Sequence, residues 1–471
     1  MSIARDRKPV PSDHAPGLAA GAPAPGSGLE QFGYQQELKR ALTTRDLVVY
    51  GMVFMVPIAP YAVFGFVWND AKGMVPLAYF VGLVGMFFTA MSYAAMSRAF
   101  PVAGSVYTYA QRGLSDLAGF FSGWLILLDY ILVPALLYIV SAIALRPLIP
   151  SAPAWVWLGG FIGFNAVVNV IGIQLTARVN WYMLAMELVV LALFIVFGMV
   201  ALYGGQGAGR LTFTPVYDPS VFSIATVAGA TSIAVLSFLG FDGISTLAEE
   251  SQGGRNSVGI ATLLSLLLVG ALFMVQTWIA ADLAHGMRFS SAETAFYEIT
   301  ERAGGVWLRR VTLIATVIAS GIANAMAAQA AVSRILFAMA RDGKLPSLLA
   351  KVHPRYKTPY VATLVVACVS LIVGLVFARR LDDLSRIVNF GALTGFLLLH
   401  LSVINHYFIR ERSRDWLRHV LFPLVGFTVI AYVLYEMDRT AKIMGACWIA
   451  LGIAYYVVLS FILKKSAALK I

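Results

Sequence analysis

Two apolar stretches of membrane-spanning length carry interruptions that a lipid-embedded helix cannot absorb: GMVFMVPIAPYAVFG at 51–65 and SFLGFDGIST at 237–246. Proline inside a helix removes an N–H donor and costs about 3 kcal/mol, and hydrocarbon offers the freed carbonyls no other partner. Pro57 and Pro60 therefore break the first stretch, while Gly240, Asp242 and Gly243 loosen the second. Unwound backbone at that depth is tolerated only inside protein or along a polar cavity, so each break predicts a cavity wall. The breaks lie about 180 residues apart, and each opens a run of about five apolar segments. That spacing is expected of an inverted repeat with a site at the bilayer midplane between two discontinuous helices.

The bulk properties support a membrane chain. Of 471 residues, 59% are apolar and 13% charged, and the mean hydropathy is +0.78, too oily for a soluble globular protein. About twelve runs are long enough to cross a hydrocarbon core of about 30 Å. They centre near Ile58, Phe87, Ile131, Phe161, Leu191, Leu239, Val269, Ala323, Val369, Leu398, Ile430 and Ala454.

The net charge of +11 follows the loops and does not indicate nucleic acid. Arg5, Arg7, Lys8, Lys39, Arg40 and Arg45 precede the first span; Arg341, Lys344, Lys351, Arg355 and Lys357 follow the eighth; Arg410, Arg412, Arg414 and Arg418 follow the tenth; Lys464, Lys465 and Lys470 close the chain. With an even number of spans these share one side, and the positive-inside rule puts both termini in the cytoplasm. Arg288, Arg302, Arg309 and Arg310 form a smaller opposing group. Cys368 and Cys447 lie within apolar runs and read as small hydrophobes, with no disulfide expected.

Residues 1–38 read as a disordered cytoplasmic tail rich in Pro, Gly, Ala and Ser, without the apolar core of a signal peptide. Residues 39–465 read as one transmembrane domain. The segment around Ser290 to Ala303 has helical periodicity and is expected along the outer surface as a lid.

Between the second and third spans lies FPVAGSVYTYAQRGLSDLAGFFSGWLILLDY, from Phe100 to Tyr130. Its Pro-x-Ala-Gly-Ser-x-Tyr-x-Tyr pattern resembles the amino acid, polyamine and organocation (APC) permease family. The similarity continues through GATSIAVLSFLGFDGISTLAEE, VSRILFAMARDGKLP, VHPRYKTP and VNFGALTGF, covers nearly the whole chain, and is nearest the bacterial polyamine (putrescine) importer branch. The resemblance implies an all-α membrane protein of about twelve helices. Five plus five form an inverted repeat with discontinuous helices 1 and 6, and two more follow at the C-terminus. It also implies alternating access about a central site, and neither a cofactor nor a metal.

At the first break, the backbone of Pro57, Ile58, Ala59, Pro60 and Tyr61 is expected to wall the pocket, with a half-helix N-terminus turned toward an anionic group. Pro60 supplies no amide, and the Gly-Ser-Gly grip that permeases of this family use for an α-carboxylate is replaced here. Nor is there an acid at Ala62, where the polyamine branch often has one. At the second break, Phe238, Gly240, Phe241 and Asp242 are expected beside the first. Asp242 has two readings, receiving an ammonium or holding a helix end. Phe238 and Phe241 either close over the substrate, attracting an amine through their faces, or simply pack.

Asp129 and Tyr130 lie well inside the third span, Asp129 as a second counter-ion. Asn324 and Asn389 are expected to face the interior or to tie one helix to another. Glu187 replaces, with an acid, the lysine that the resemblance associates with proton coupling. It reads either as a proton carrier or as a glutamate satisfied by helix carbonyls or Arg178. Glu249 and Glu250 resemble the family's paired acids, expected as an inner gate with Arg45 or Arg334, although the SQGGRNSVG that follows departs from the family's pattern.

His400 and His406 are six residues apart and do not share a helix face, and neither an HExxH motif nor paired cysteines suggest an enzyme. The sequence thus reads as a secondary active importer of amino acids or small amines, putrescine among them, through the inner membrane, with proton coupling. Exchange is the alternative, and a transporter-like nutrient sensor a more distant one. The expected partners are a small-molecule substrate, protons and lipid, with no oligomeric state specified.

Overall fold

The computed structural model describes residues 40–468 except 103 and 255, without the side chains of 173–178 and 462–468. The tail expected over 1–38 and the C-terminal lysine side chains fall outside the described residues.

The first span is two helices, α1 (Thr44–Met55) and α2 (Pro60–Ala71), bent by 51°. Thr43 and Asp46 start α1 with a reciprocal capping box, the Asp46 N–H donating to the Thr43 hydroxyl and the Thr43 N–H to the Asp46 carboxylate. The helix stops where Pro57 has no N–H for the carbonyl of Val53. Next come α3 (Val75–Ala99), the short α4 (Ser105–Gly113), α5 (Asp116–Leu145), α6 (Ala154–Ile171) and α7 (Ile173–Tyr203). The sixth span starts as α8 (Ile224–Ala234), tightens over Val235–Phe238, breaks at Leu239 and Gly240, and resumes as a 3-10 helix over Phe241–Glu250. Then follow α9 (Ser257–Ala284), α10 (Ala295–Ile318), α11 (Ala325–Arg341) beyond a π-turn at Ala319–Asn324, α12 (Tyr360–Val376), α13 (Leu381–Val403), α14 (Phe422–Glu436) and α15 (Arg439–Ala468). An isolated β-bridge pairs Leu42 with Ser251.

Among the described residues, ten helical spans are long and apolar enough to cross a membrane, and the bent α1–α2 pair makes an eleventh. The segment expected near Val369 is α12, whose 17 residues sit at the short end of the spanning range. Packing follows the two-fold pattern of an inverted repeat. Exchanging the first five spans with the next five turns α5 against α13 into α10 against α7. The same exchange leaves α3 against α9, α6 against α12 and α2 against α8 as pairs. The last two helices lie outside the repeat; α14 packs on α3 and α13, and α15 on α13 and α5. Trp124 and Trp448 clamp α15 to α5, each indole N–H donating to the other residue's carbonyl at 2.9 and 2.7 Å.

Lipid tails are as apolar as leucine, so helix association here rests on close packing and interhelical hydrogen bonds. The alanine-rich α11 is buried over nearly its whole length. Side-chain amides satisfy carbonyls at helix irregularities: Gln276 donates to Pro57 at 2.8 Å, Asn165 to Gly321 in the π-turn at 2.7 Å, and Asn389 to Ser232 at 2.7 Å.

By the parity of the spans, the segment between α9 and α10 lies opposite the chain's N-terminal side. Its helix begins at Ala295 and kinks at Gly305. Phe296 stacks on Tyr61 with centroids 4.1 Å apart and packs against Phe64 and Phe194, closing that side over α2. A Cβ on Gly65 would lie 2.2 Å from the Ala292 carbonyl oxygen, so any side chain there must push this cover away. With Cys368 and Cys447 replaced by serine, Gly65→Val is expected to raise labelling of a cysteine at Ala59 by a membrane-impermeant thiol reagent about tenfold, as occurs when a closed state loses about 1.4 kcal/mol. Unchanged labelling would show that this cover does not close the path.

Candidate functional site

The two breaks cross in direct contact. Val56 ends α1 at φ 56°, ψ 104°, which a β-branched residue adopts only when its surroundings impose it. Gly240 turns the second break at φ 117°, and a Cβ on it would lie 2.8 Å from the Phe54 carbonyl oxygen. One on Gly243 would lie 2.2 Å from the Phe54 ring. Beside this crossing is a cavity of about 60 Å³, room for about four to six waters at the 10–15 Å³ that one requires. Ala59, Asp129, Tyr130, Gly240, Asp242 and Asn324 all line it. So do Phe54, Ser237, Ser320 and Ser385, which the sequence reading did not single out. Their only signal was a position one or two turns from a break or from another polar residue.

Asp242 is 1% exposed, yet well supplied with donors. The Tyr130 hydroxyl donates to its Oδ2, and the Gly240 N–H donates to its Oδ1 at 3.2 Å. These bonds tie the Asp242 carboxylate to α5 and to the turn at Gly240. Asp129 is 3% exposed, and its Oδ1 has no partner; the Oδ1 of Asn324 has none either. The carbonyls of Phe54 and Met55, both cavity residues, receive no hydrogen bond from any described group. The end of α1 therefore presents carbonyl dipoles, whose partial negative charge favours a cation.

Several expected pocket residues point elsewhere. The Pro57 carbonyl is held by Gln276, and Ile58 is buried with its carbonyl accepting from the Tyr61 N–H at 3.0 Å. The Ala59 N–H donates to Val56 at 2.8 Å, and Pro60 has no N–H. The Ala59 and Tyr61 amides are thus consumed in the turn, and the break also offers carbonyl oxygens. Tyr61 lies in the aromatic cover with Phe296 and Phe194. Phe238 packs between Tyr79 and Phe273, and Phe241 between Tyr93 and Phe396, both away from the cavity. The 3-10 winding after Gly240 turns the Phe241 ring away from the cavity and leaves Phe54 and Tyr130 as its aromatic wall.

Glu187 on α7 is fully buried, and neither carboxyl oxygen has a partner. The Arg178 side chain lies outside the described residues. Glu250 pairs with Arg334 on α11 at 2.5 Å, and Glu249 with Arg341 at 3.2 Å. Arg45 is exposed and is in neither pair. The Tyr107 hydroxyl of α4 donates to Asp342 at 2.6 Å beside this cluster. Asn389 ties α13 to α8 and does not line the cavity.

A cavity holding two carboxylates between two discontinuous helices of an inverted repeat defines a secondary transporter. A family profile described as amino acid permease matches residues 47–463, and the chain belongs to that family, one of the APC permeases. It is 32% identical over 434 residues to the low-affinity putrescine importer PlaP of Escherichia coli K12, covering 89% of this chain and 93% of that protein. It is 27% identical to the branched-chain amino acid permease BcaP of Bacillus subtilis 168, with 90% and 93% covered. It is 24% identical to the methylthioribose transporter of the same strain, with 89% and 93% covered.

Proposed function

We propose that this chain imports a small amine or amino acid through a bacterial inner membrane by proton-coupled alternating access, with both termini in the cytoplasm. Residues 39–465 form the transport unit, and 1–38 a cytoplasmic tail. The observation that carries the reading is the cavity at the crossing of the breaks, where Asp129 offers a carboxylate oxygen with no partner. The substrate ammonium binds Asp129 and the carbonyl end of α1, and draws Asp242 from its bond with Tyr130. Phe54 and the Phe296 cover close the outer path, and the Glu250–Arg334 and Glu249–Arg341 pairs close the inner one. Release inward requires these pairs to part as the repeats rock against each other.

Glu187 is the coupling group in this reading. A carboxylate without a partner in apolar surroundings is expensive, so the group binds a proton while enclosed and gives it up when water reaches it. In proteoliposomes an acidic exterior is therefore expected to accelerate uptake of labelled putrescine or amino acid. Glu187→Gln fixes the neutral form, so that acceleration is expected to fall to about one, while downhill exchange persists. A Gln variant that still responds fully to the gradient would refute the coupling role. A wild-type protein that moves no amine or amino acid would refute the transport reading itself.

A further inference from the structure

We infer that Thr358 and Thr363, with Asn169 and Ser333, form a second receptor for the Arg334 guanidinium, which holds it when the inner closure opens and Glu250 withdraws. The inference rests on reading the Glu250–Arg334 pair as that closure. The pair joins two groups of helices. The 3-10 helix that ends at Glu250 packs chiefly against α9 and α1, whereas α11, which carries Arg334, packs chiefly against α5, α12 and α6. When the groups separate, Arg334 stays beside α6 and α12, 6% exposed and deprived of its carboxylate. A buried cation left in that way is strongly destabilising unless other groups take over the charge.

The guanidinium is only partly used in the closed form. Its Nε donates to Glu250, and neither Nη atom has a hydrogen-bond partner among the described residues. Arg334 also lines a second cavity, of about 20 Å³, together with Asn169, Ser333, Thr358, Pro359 and Thr363. That is room for one or two waters, enough for a terminal NH2 group to enter. Arg334 is the only charged residue lining it.

The polar side chains around this cavity offer acceptors. The Ser333 hydroxyl donates to the Gln329 carbonyl at 2.6 Å, Thr358 to Val170 at 2.8 Å and Thr363 to Pro359 at 3.2 Å. Each hydroxyl therefore has its proton committed and oxygen lone pairs to spare. The Asn169 amide donates to the Met326 carbonyl at 3.1 Å and to the Gln329 side chain at 2.9 Å, and its Oδ1 accepts from no described group. Outside the helices, the wall has one main-chain N–H without an acceptor, that of Thr358, and Pro359 has none. An anion would meet these lone pairs and the nearby Glu250 charge, whereas a guanidinium N–H finds charge-assisted bonds. Asn169 and Thr363 belong to α6 and α12, the helices that remain with Arg334 when Glu250 departs.

The test is thiol labelling of the purified full-length protein, with Cys368 and Cys447 replaced by serine and a cysteine placed at Ala331, which is fully buried one turn from Arg334. Thr358→Val/Thr363→Val keeps the shape of both side chains and removes both acceptors. The bonds to Val170 and Pro359 are lost in the closed and open forms alike, so the change in labelling rate reads the guanidinium. Labelling is expected to slow about tenfold, the effect of losing a hydrogen bond to a charged group. Thr358→Ser/Thr363→Ser is expected to restore the parent rate. In the Arg334→Leu/Glu250→Leu background the two valines are expected to change nothing, because no cation is left to receive. If the double valine variant does not fold, Thr358→Val alone carries the test, with an expected slowing of about threefold. A rate unmoved by the valines, or an equal slowing in the background without the pair, would overturn the inference. If Glu250→Leu and Arg334→Leu each label like the parent, the pair is not the inner closure, and the inference falls with that reading.

Discussion

Asp129→Asn is expected to lower amine uptake at subsaturating substrate about 100-fold with little change in folded stability. The substitution keeps the shape of the side chain and removes its charge. Truncating one member of a buried charge pair costs about 2–5 kcal/mol, and each 1.4 kcal/mol is tenfold in affinity. The free protein gains no matching penalty, because the Oδ1 of Asp129 has no partner to lose. Thermal unfolding of the empty protein should therefore stay level or rise, while the KM for the amine climbs. Asp242→Asn is expected to behave differently, since the Asp242 carboxylate holds the Gly240 N–H and the Tyr130 hydroxyl in the empty protein. That variant should lose both stability and uptake. Uptake kinetics and thermal unfolding on the same preparations separate the two cases. An unchanged KM in Asp129→Asn would remove Asp129 from the site.

Arg334→Leu and Glu250→Leu are each expected to destabilise the protein by about 3–5 kcal/mol, and the double variant by much less. The side chains are 7% and 4% exposed, so either one left alone is a charge in a dry environment with no counterpart. Removing both eliminates the desolvation cost together with the attraction. The neighbouring Glu249–Arg341 pair cannot take over, because it uses different atoms and is already formed. The single variants should label more readily at a cysteine introduced next to the pair. The double variant should be stable yet gated without a charge latch. Additive losses in the double variant would mean that the two side chains act independently.

The order and length of the spans were legible in the sequence because a bilayer imposes one requirement, about twenty apolar residues, that composition satisfies visibly. The breaks were legible for the complementary reason: Pro57 and Pro60 cannot complete a hydrogen-bond ladder wherever they sit. Asp129, Tyr130 and Asp242 were legible as intramembrane polar groups. The direction of the exposed dipoles at the first break was not legible. It depends on whether the turn at Val56 to Tyr61 consumes amides or carbonyls, and that follows from φ and ψ values that the letters do not specify. Phe238 and Phe241 illustrate the same gap at the second break, since tightening from 3.6 to about 3 residues per turn rotates a side chain by tens of degrees within a few residues. Asn389 and Asn324 look alike in the sequence, two amides in apolar helices. One ties α13 to α8 and the other faces the cavity, a difference decided by packing against neighbours.

The backward-twisted valine at position 56 has a bearing on how the protein is assembled in the membrane. Its conformation is held from outside, by Gln276 on the Pro57 carbonyl and by Gly240 and Gly243 closing around Phe54. Those residues emerge from the ribosome roughly 180 to 220 positions after the break itself. The broken helix therefore waits in a provisional shape until α9 has followed it into the bilayer.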